Sequence, residues 1–130
     1  ALDGVRLGLP ALMRAEIVQE RGARIGFDWP DVSGAIEKFK EEMAEFEDAM
    51  AENDPAHLRD EFSDVMFTLI NIGRMMGYDV EECTREANDK FESRFRGMES
   101  KLKVHYSDLK AVRLDEMEKV WQEIKTKPTG

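Results

Sequence analysis

AIEKFKEEMAEFEDAMAENDPAHLRDEFSDVMFTLINIG, residues 35–73, reads as two helices joined by a tight turn. At about 100° per residue, Ile36, Phe39, Met43, Phe46 and Met50 fall on one stripe of the first helix. Leu58, Phe62, Val65, Met66, Leu69, Ile72 and Met76 form a wider stripe on the second. Between them, Asn53-Asp54-Pro55 ends one helix and begins the next, with Asp54 as cap and Pro55 in the first turn, where a missing N–H is harmless. The second helix is the more apolar of the pair. It is expected to close at Gly77 and to be the central helix of the core.

The same periodicity continues outward in both directions. A first helix can start at Pro10 and run to about Arg24, before GFDWP at 26–30 breaks it. Asp31 or Ser33 can cap the helix that follows. Asp79 and Glu82 have the spacing of a capping box, opening a helix through Cys83, Ala87, Phe91 and Phe95 to roughly Lys101. After a polar passage around Ser107 comes a last helix, LDEMEKVWQEIK at 114–125, and 128–130 read as a frayed end. No stretch alternates like a strand, so the expected fold is an all-α bundle of about five helices, one domain over 1–130.

Composition narrows the function. A chain of 130 residues is one ordinary domain, and its net charge of −9 argues against a nucleic-acid backbone as partner. An anionic ligand would need local Lys or Arg, or a metal. The one cysteine, Cys83, has no partner for an internal disulfide, which points to a reducing, cytoplasmic setting with the thiol packed. The longest apolar run, 65–73, is too short for a bilayer, and no signal peptide is visible, so no membrane partner is expected. The chain starts at Ala1 without a methionine, as a fragment of a longer tandem-domain protein would.

The acids on the two central helices are of two kinds. Glu37, Glu47 and Asp48 point away from the apolar stripe, whereas Glu42 borders it, with Lys38, Glu41 and Glu45 next round the helix. On the following helix Glu61 and Asp64 flank the stripe. If the stripes face each other, four carboxylates, Glu42, Glu45, Glu61 and Asp64, converge at one edge of the core. An all-oxygen set of that kind suits Mg²⁺ or Mn²⁺. Glu-Glu-x-x-Glu alone is commonly a solvated face, and spacing leaves both readings open. Other phosphate and metal chemistries lack their residues: no G-x-x-x-x-G-K-[ST] loop occurs, no Glu-x-x-His pair supports a di-iron bundle, and two scattered histidines do not make a zinc site.

Glu41-Glu42-x-x-Glu45 with Glu61-x-x-Asp64 resembles the signature of the MazG family of nucleoside triphosphate pyrophosphohydrolases. GFDWP, DEFSDVMF at 60–67, ANDKFESRF at 87–95 and LDEMEKVWQEIK each resemble MazG segments. The likeness is greatest to the C-terminal domain of the longer MazG proteins, in which a segment like ALDGVRLGLPALMRA also precedes the catalytic helices. Asp60 stands where these proteins more often have Glu, and KLKVHYSDLKAVR at 101–113 follows the family pattern poorly. The resemblance implies a homodimeric all-α NTP pyrophosphatase that hydrolyses an NTP to NMP and pyrophosphate with Mg²⁺, Mn²⁺ being a possible substitute. It makes Glu42, Glu45, Glu61 and Asp64 metal ligands, and gives Glu41 and Glu42 catalytic roles. Lys38, Lys90 and Arg94 match bases associated with the triphosphate, and Trp121 and Lys125 a segment that closes over the nucleotide. Asn88, near the Phe91 and Phe95 side of its helix, reads as a core hydrogen bond or a nucleotide contact. Two alternatives stand beside this one: a house-cleaning hydrolase of dUTP, dCTP or a damaged nucleotide, and a non-catalytic helical dimerisation module with an acidic groove.

Overall fold

Capping chemistry sets where each helix starts and stops. The computed structural model describes residues 1–126, so the end expected at 128–130 lies outside them. The described residues form five α-helices and no strand: α1 (Ala11–Arg24), α2 (Val32–Ala49), α3 (Pro55–Met75), α4 (Val80–Lys103) and α5 (Leu114–Thr126), with a short 3₁₀ turn at Leu109–Ala111. This is the expected all-α class. α2 starts where the Asp31 carboxylate accepts from Ser33 N at 2.8 Å, and Ser33 Oγ also donates to it. α3 starts where Asp54 accepts from His57 N at 3.2 Å, with Pro55 in its first turn. Asp79 accepts from Glu82 N at 3.1 Å at the head of α4.

Two glycines at positive φ, Gly26 at 93° and Gly77 at 80°, close α1 and α3. In both, the glycine N–H and the next residue's N–H turn back onto the last carbonyls: Gly26 to Ala23 and Phe27 to Gly22, Gly77 to Arg74 and Tyr78 to Gly73. Only glycine reaches this left-handed geometry without a Cβ clash.

The chain divides into two compact units, Ala1–Cys83 and Thr84 onward. In the first, α2 packs along α3 and α1 lies against α3. Small residues let the helices approach: Ala35 and Ala49 of α2 are fully buried, while Phe46 and Phe62 meet with ring centroids 5.9 Å apart. Arg74 of α3 ties the unit together, its guanidinium 3.1 Å from Glu20 of α1 and 2.7 Å from Asp28 in the GFDWP loop. Gln19 adds a second α1 to α3 link by donating to the Phe67 carbonyl at 2.9 Å. Trp29 lies across Gly34, where an added Cβ would come within 2.9 Å of the indole.

In the second unit, Met98 and Leu102 of α4 and Val112 form a buried centre against which Tyr106, Leu109, Met117, Val120 and Trp121 pack. Tyr106 donates to Glu116 at 2.6 Å, and Lys101 reaches Glu123 at 3.2 Å. Three expectations need correction. α3 has no buried residue: Phe62, Met66, Phe67 and Leu69 are each 44–55 % exposed, because its apolar stripe is wider than α1 and α2 can cover. Met50, the last residue of the α2 stripe, lies beyond the helix and is exposed. Cys83 is exposed rather than packed.

Candidate metal centre

α2 and α3 hold the central acids on facing sides. Glu42 is 7 % exposed, the one buried charged residue among those described. Glu45 lies one turn further along α2 in solvent, and Glu61 is half-buried on α3. One carboxylate oxygen from each of these three residues lies within 4.8 Å of the others. Each of the two sequestered carboxylates has one oxygen tied. Glu42 Oε1 is 2.9 Å from Lys38 Nζ, which also sits 3.9 Å from Glu41. Glu61 Oε1 is 3.1 Å from His57 Nε2, and His57 Nδ1 is 2.7 Å from Glu52. The second oxygens, Glu42 Oε2 and Glu61 Oε2, are buried and find no hydrogen-bond partner among the described residues.

The field of the cluster is visible in its neighbours. Glu45 is pushed above the usual carboxylate range, first by the negative charge of Glu42, then by burial and by Glu61 and Glu41. Asp64 is raised too, mainly by desolvation and then by Asp60, Glu42 and Glu61, with Lys38 pulling the other way. Lys38 is raised by its hydrogen bond to Glu42. His57 is raised chiefly by Glu52, with Glu61 adding to it. A neutral imidazole has one N–H for two carboxylates, so the bridging position favours the imidazolium, which has two.

Buried oxygens without donors are unfavourable, typically by about 1–3 kcal/mol each and more for charged groups. Like charges held together add to that. A divalent cation would relieve both, and a donor set made only of carboxylate oxygens matches Mg²⁺ or Mn²⁺ better than the softer metals. The residues present therefore fit a hard cation. Asp64 stands beside this group, close enough to feel Glu42 and Glu61, but exposed and outside the three-oxygen convergence.

Of the residues singled out in the sequence, Lys38, Glu41, Glu42, Glu45, Glu61 and Asp64 lie in the first unit, and Asn88, Lys90, Arg94, Trp121 and Lys125 in the second. Lys38 serves as counter-ion to Glu42. Asn88, Lys90 and Lys125 are exposed, and Arg94 is half-buried. Trp121 packs against the second unit's centre, 5.4 Å from the ring of Phe91.

Residues 26–97 match the MazG nucleotide pyrophosphohydrolase domain. The chain belongs to the MazG family. Over 127 residues it is 39 % identical to the "Nucleoside triphosphate pyrophosphohydrolase" of Escherichia coli (strain K12), covering 96 % of this chain and 48 % of that protein. It is 34 % identical over 117 residues to the "Nucleoside triphosphate pyrophosphohydrolase/pyrophosphatase MazG" of Thermotoga maritima, covering 90 % of this chain and 45 % of that one. The chain thus spans about half the length of the curated relatives it matches. The MazG match contains all the acids of the cluster together with Asn88, Lys90 and Arg94, and leaves Trp121 and Lys125 outside it.

Sequence reasoning missed Glu52 and His57, which the structure links to Glu61 of this candidate site. A search for Glu-x-x-His set His57 aside, although His57 and Glu61 have the i,i+4 spacing at which helical side chains meet. Glu52 carries no such signal, because it reaches His57 across the turn rather than along a helix. No helix among the described residues is long and apolar enough to cross a membrane.

Proposed function

We propose that this chain is the catalytic domain of a divalent-cation-dependent nucleoside triphosphate pyrophosphohydrolase, cleaving between the α- and β-phosphates to give NMP and pyrophosphate. The observation that carries the reading is the convergence of Glu42, Glu45 and Glu61 with two buried oxygens left without partners. Family membership and the names of the relatives support the reaction type. Glu42, Glu45, Glu61 and Asp64 would hold Mg²⁺, with Mn²⁺ as a substitute. Bound there, the cation supplies charge neutralisation for the triphosphate and acidifies water.

The chain's own residues have distinct tasks. Water attacks phosphorus, the bond to the pyrophosphate oxygen breaks, and the proton lost by the water needs a nearby base. Glu41 and Glu45 stand exposed at the rim of the site, where a carboxylate can take that proton. Lys38 neutralises part of the charge on the cluster. Lys90 and Arg94, one turn apart on α4, would take the phosphate charge, with Asn88, Trp121 and Lys125 contacting the rest of the nucleotide. The exposed apolar side of α3 supports a homodimer, since a two-fold partner is an economical way to cover it. The free thiol of Cys83 suits a reducing cytoplasm.

The test is pyrophosphate release from a panel of NTPs and dNTPs with Mg²⁺, for the protein and for Glu42→Gln. Release by the protein and its loss in Glu42→Gln is the expected result, and the panel separates a broad enzyme from one restricted to dUTP, dCTP or a modified base. No release from any nucleotide, together with no heat on Mg²⁺ titration, would leave the non-catalytic dimerisation module instead.

A further inference from the structure

We infer that Glu52 and His57 are a positioning pair that fixes the orientation of the Glu61 carboxylate so that its free oxygen faces the cation, an inference that rests on the metal reading above. The three side chains form a line running inward: Glu52 is 53 % exposed, His57 41 % and Glu61 14 %. Glu52 holds the ring at Nδ1 over 2.7 Å, and Nε2 reaches Glu61 Oε1 at 3.1 Å. A carboxylate with no partner turns about its last torsion and holds no fixed plane. With Oε1 engaged by His57, Oε2 is the atom left buried and unpartnered.

The anchor for this arrangement is the start of α3. Asp54 caps the backbone N–H of His57, fixing the base of its side chain one turn before Glu61. Glu52 sits in the preceding turn and approaches the ring from the opposite side. Lys38 does the corresponding task on α2 by holding Glu42 Oε1, but as a single direct ion pair. An ordinary solvated His–Glu pair on a helix would have no buried, unpartnered oxygen on its far side.

The probe is Mn²⁺ alone, followed by the loss of its free electron-paramagnetic-resonance signal, on the full chain without nucleotide. His57→Ala is expected to weaken Mn²⁺ binding roughly 10–100-fold, the usual effect of removing a partner that orients a ligand. His57→Gln keeps an N–H donor near Nε2 and should bind between the two. Glu52→Gln should weaken binding in the native background and change nothing further once His57 is Ala, because it acts through the ring. Melting in EDTA distinguishes a lost fold from a lost site: His57→Ala should still unfold in one cooperative transition, at a temperature lowered by the loss of the donor to Glu61. Native Mn²⁺ affinity in His57→Ala, or an equal Glu52→Gln effect with and without His57, would overturn the inference. Absence of Mn²⁺ binding by the native protein would instead refute the metal reading itself, and the pair's role with it.

Discussion

Replacing Glu42 by Gln probes the candidate metal centre with no substrate present. Glu42 and Glu61 bring oxygens within 4.8 Å of each other, on side chains only 9 % and 14 % exposed. At an effective dielectric of about 20, two full charges at that separation repel by about 3.5 kcal/mol. Gln removes the repulsion. It also removes the attraction of Lys38 across 2.9 Å, about 5–6 kcal/mol at the same dielectric, and replaces it only in part by a bond to a neutral acceptor. The two changes oppose each other and are of similar size, so the metal-free variant should melt near the native protein, within about 2 kcal/mol or on the order of 5–10 °C. Cation separates the two. At a hundredfold excess over its dissociation constant it adds about 2.7 kcal/mol to the native protein, and little to a variant that has lost its most buried ligand. Calorimetric melting in EDTA and in Mg²⁺ or Mn²⁺, at matched ionic strength, should thus show the native curve moving up with cation and the variant's staying in place. A variant that keeps the full metal response would refute the reasoning.

Asp64→Asn should lower Mg²⁺-dependent pyrophosphate release by about a hundredfold or more, as removal of other groups that stabilise transition-state charge does. Its circular dichroism should stay native, and wild-type turnover would falsify the ligand assignment. Arg74→Met leaves Asp28 and Glu20 without their guanidinium and should cost about 1.5–2 kcal/mol in urea unfolding, as the loss of bonds to charged but solvated groups does. A cost below about 1 kcal/mol, the range of an exposed pair, would show that Arg74 does not hold α1 and the GFDWP loop to α3. The Tyr106 phenol is held above its ordinary value, first by donating to Glu116 and then by burial. Its contribution is complete below the unfolded value near 10 and is lost as pH rises through the higher folded one. Unfolding curves between about pH 9 and 12 should therefore show the native protein losing stability that Tyr106→Phe never had, and parallel curves would sink the idea.

Local chemistry was the part of this protein most legible in the sequence. Asp31, Asp54 and Asp79 cap where their positions imply, and Gly77 stops α3, because such signals act within one turn of chain. The pairing of Glu42 and Glu45 with Glu61 was legible too, since both helices carry their acids beside an apolar stripe and the turn between them is short. Periodicity identifies which face of α3 is apolar but says nothing about what covers it, so the expected core helix turned out half-exposed. Asp64 shares its row with Glu61, yet a difference of one turn leaves it in solvent. The bridge from Glu52 through His57 was hidden for another reason. It depends on where a loop carboxylate lands once two helices have folded back on each other, which no spacing rule records.

The candidate metal ligands Glu42, Glu45 and Glu61 all belong to one helical hairpin, α2, its turn and α3. Contacts so close in sequence form quickly, before those that need distant segments to meet. The acids would then be gathered early, while the rest of the chain is still searching, and their repulsion would bear on the folding barrier itself. A cation bound at that stage would lower the barrier, so Mg²⁺ or Mn²⁺ should quicken refolding and not merely slow unfolding. At this candidate site, the ion would then act on folding before any substrate is bound.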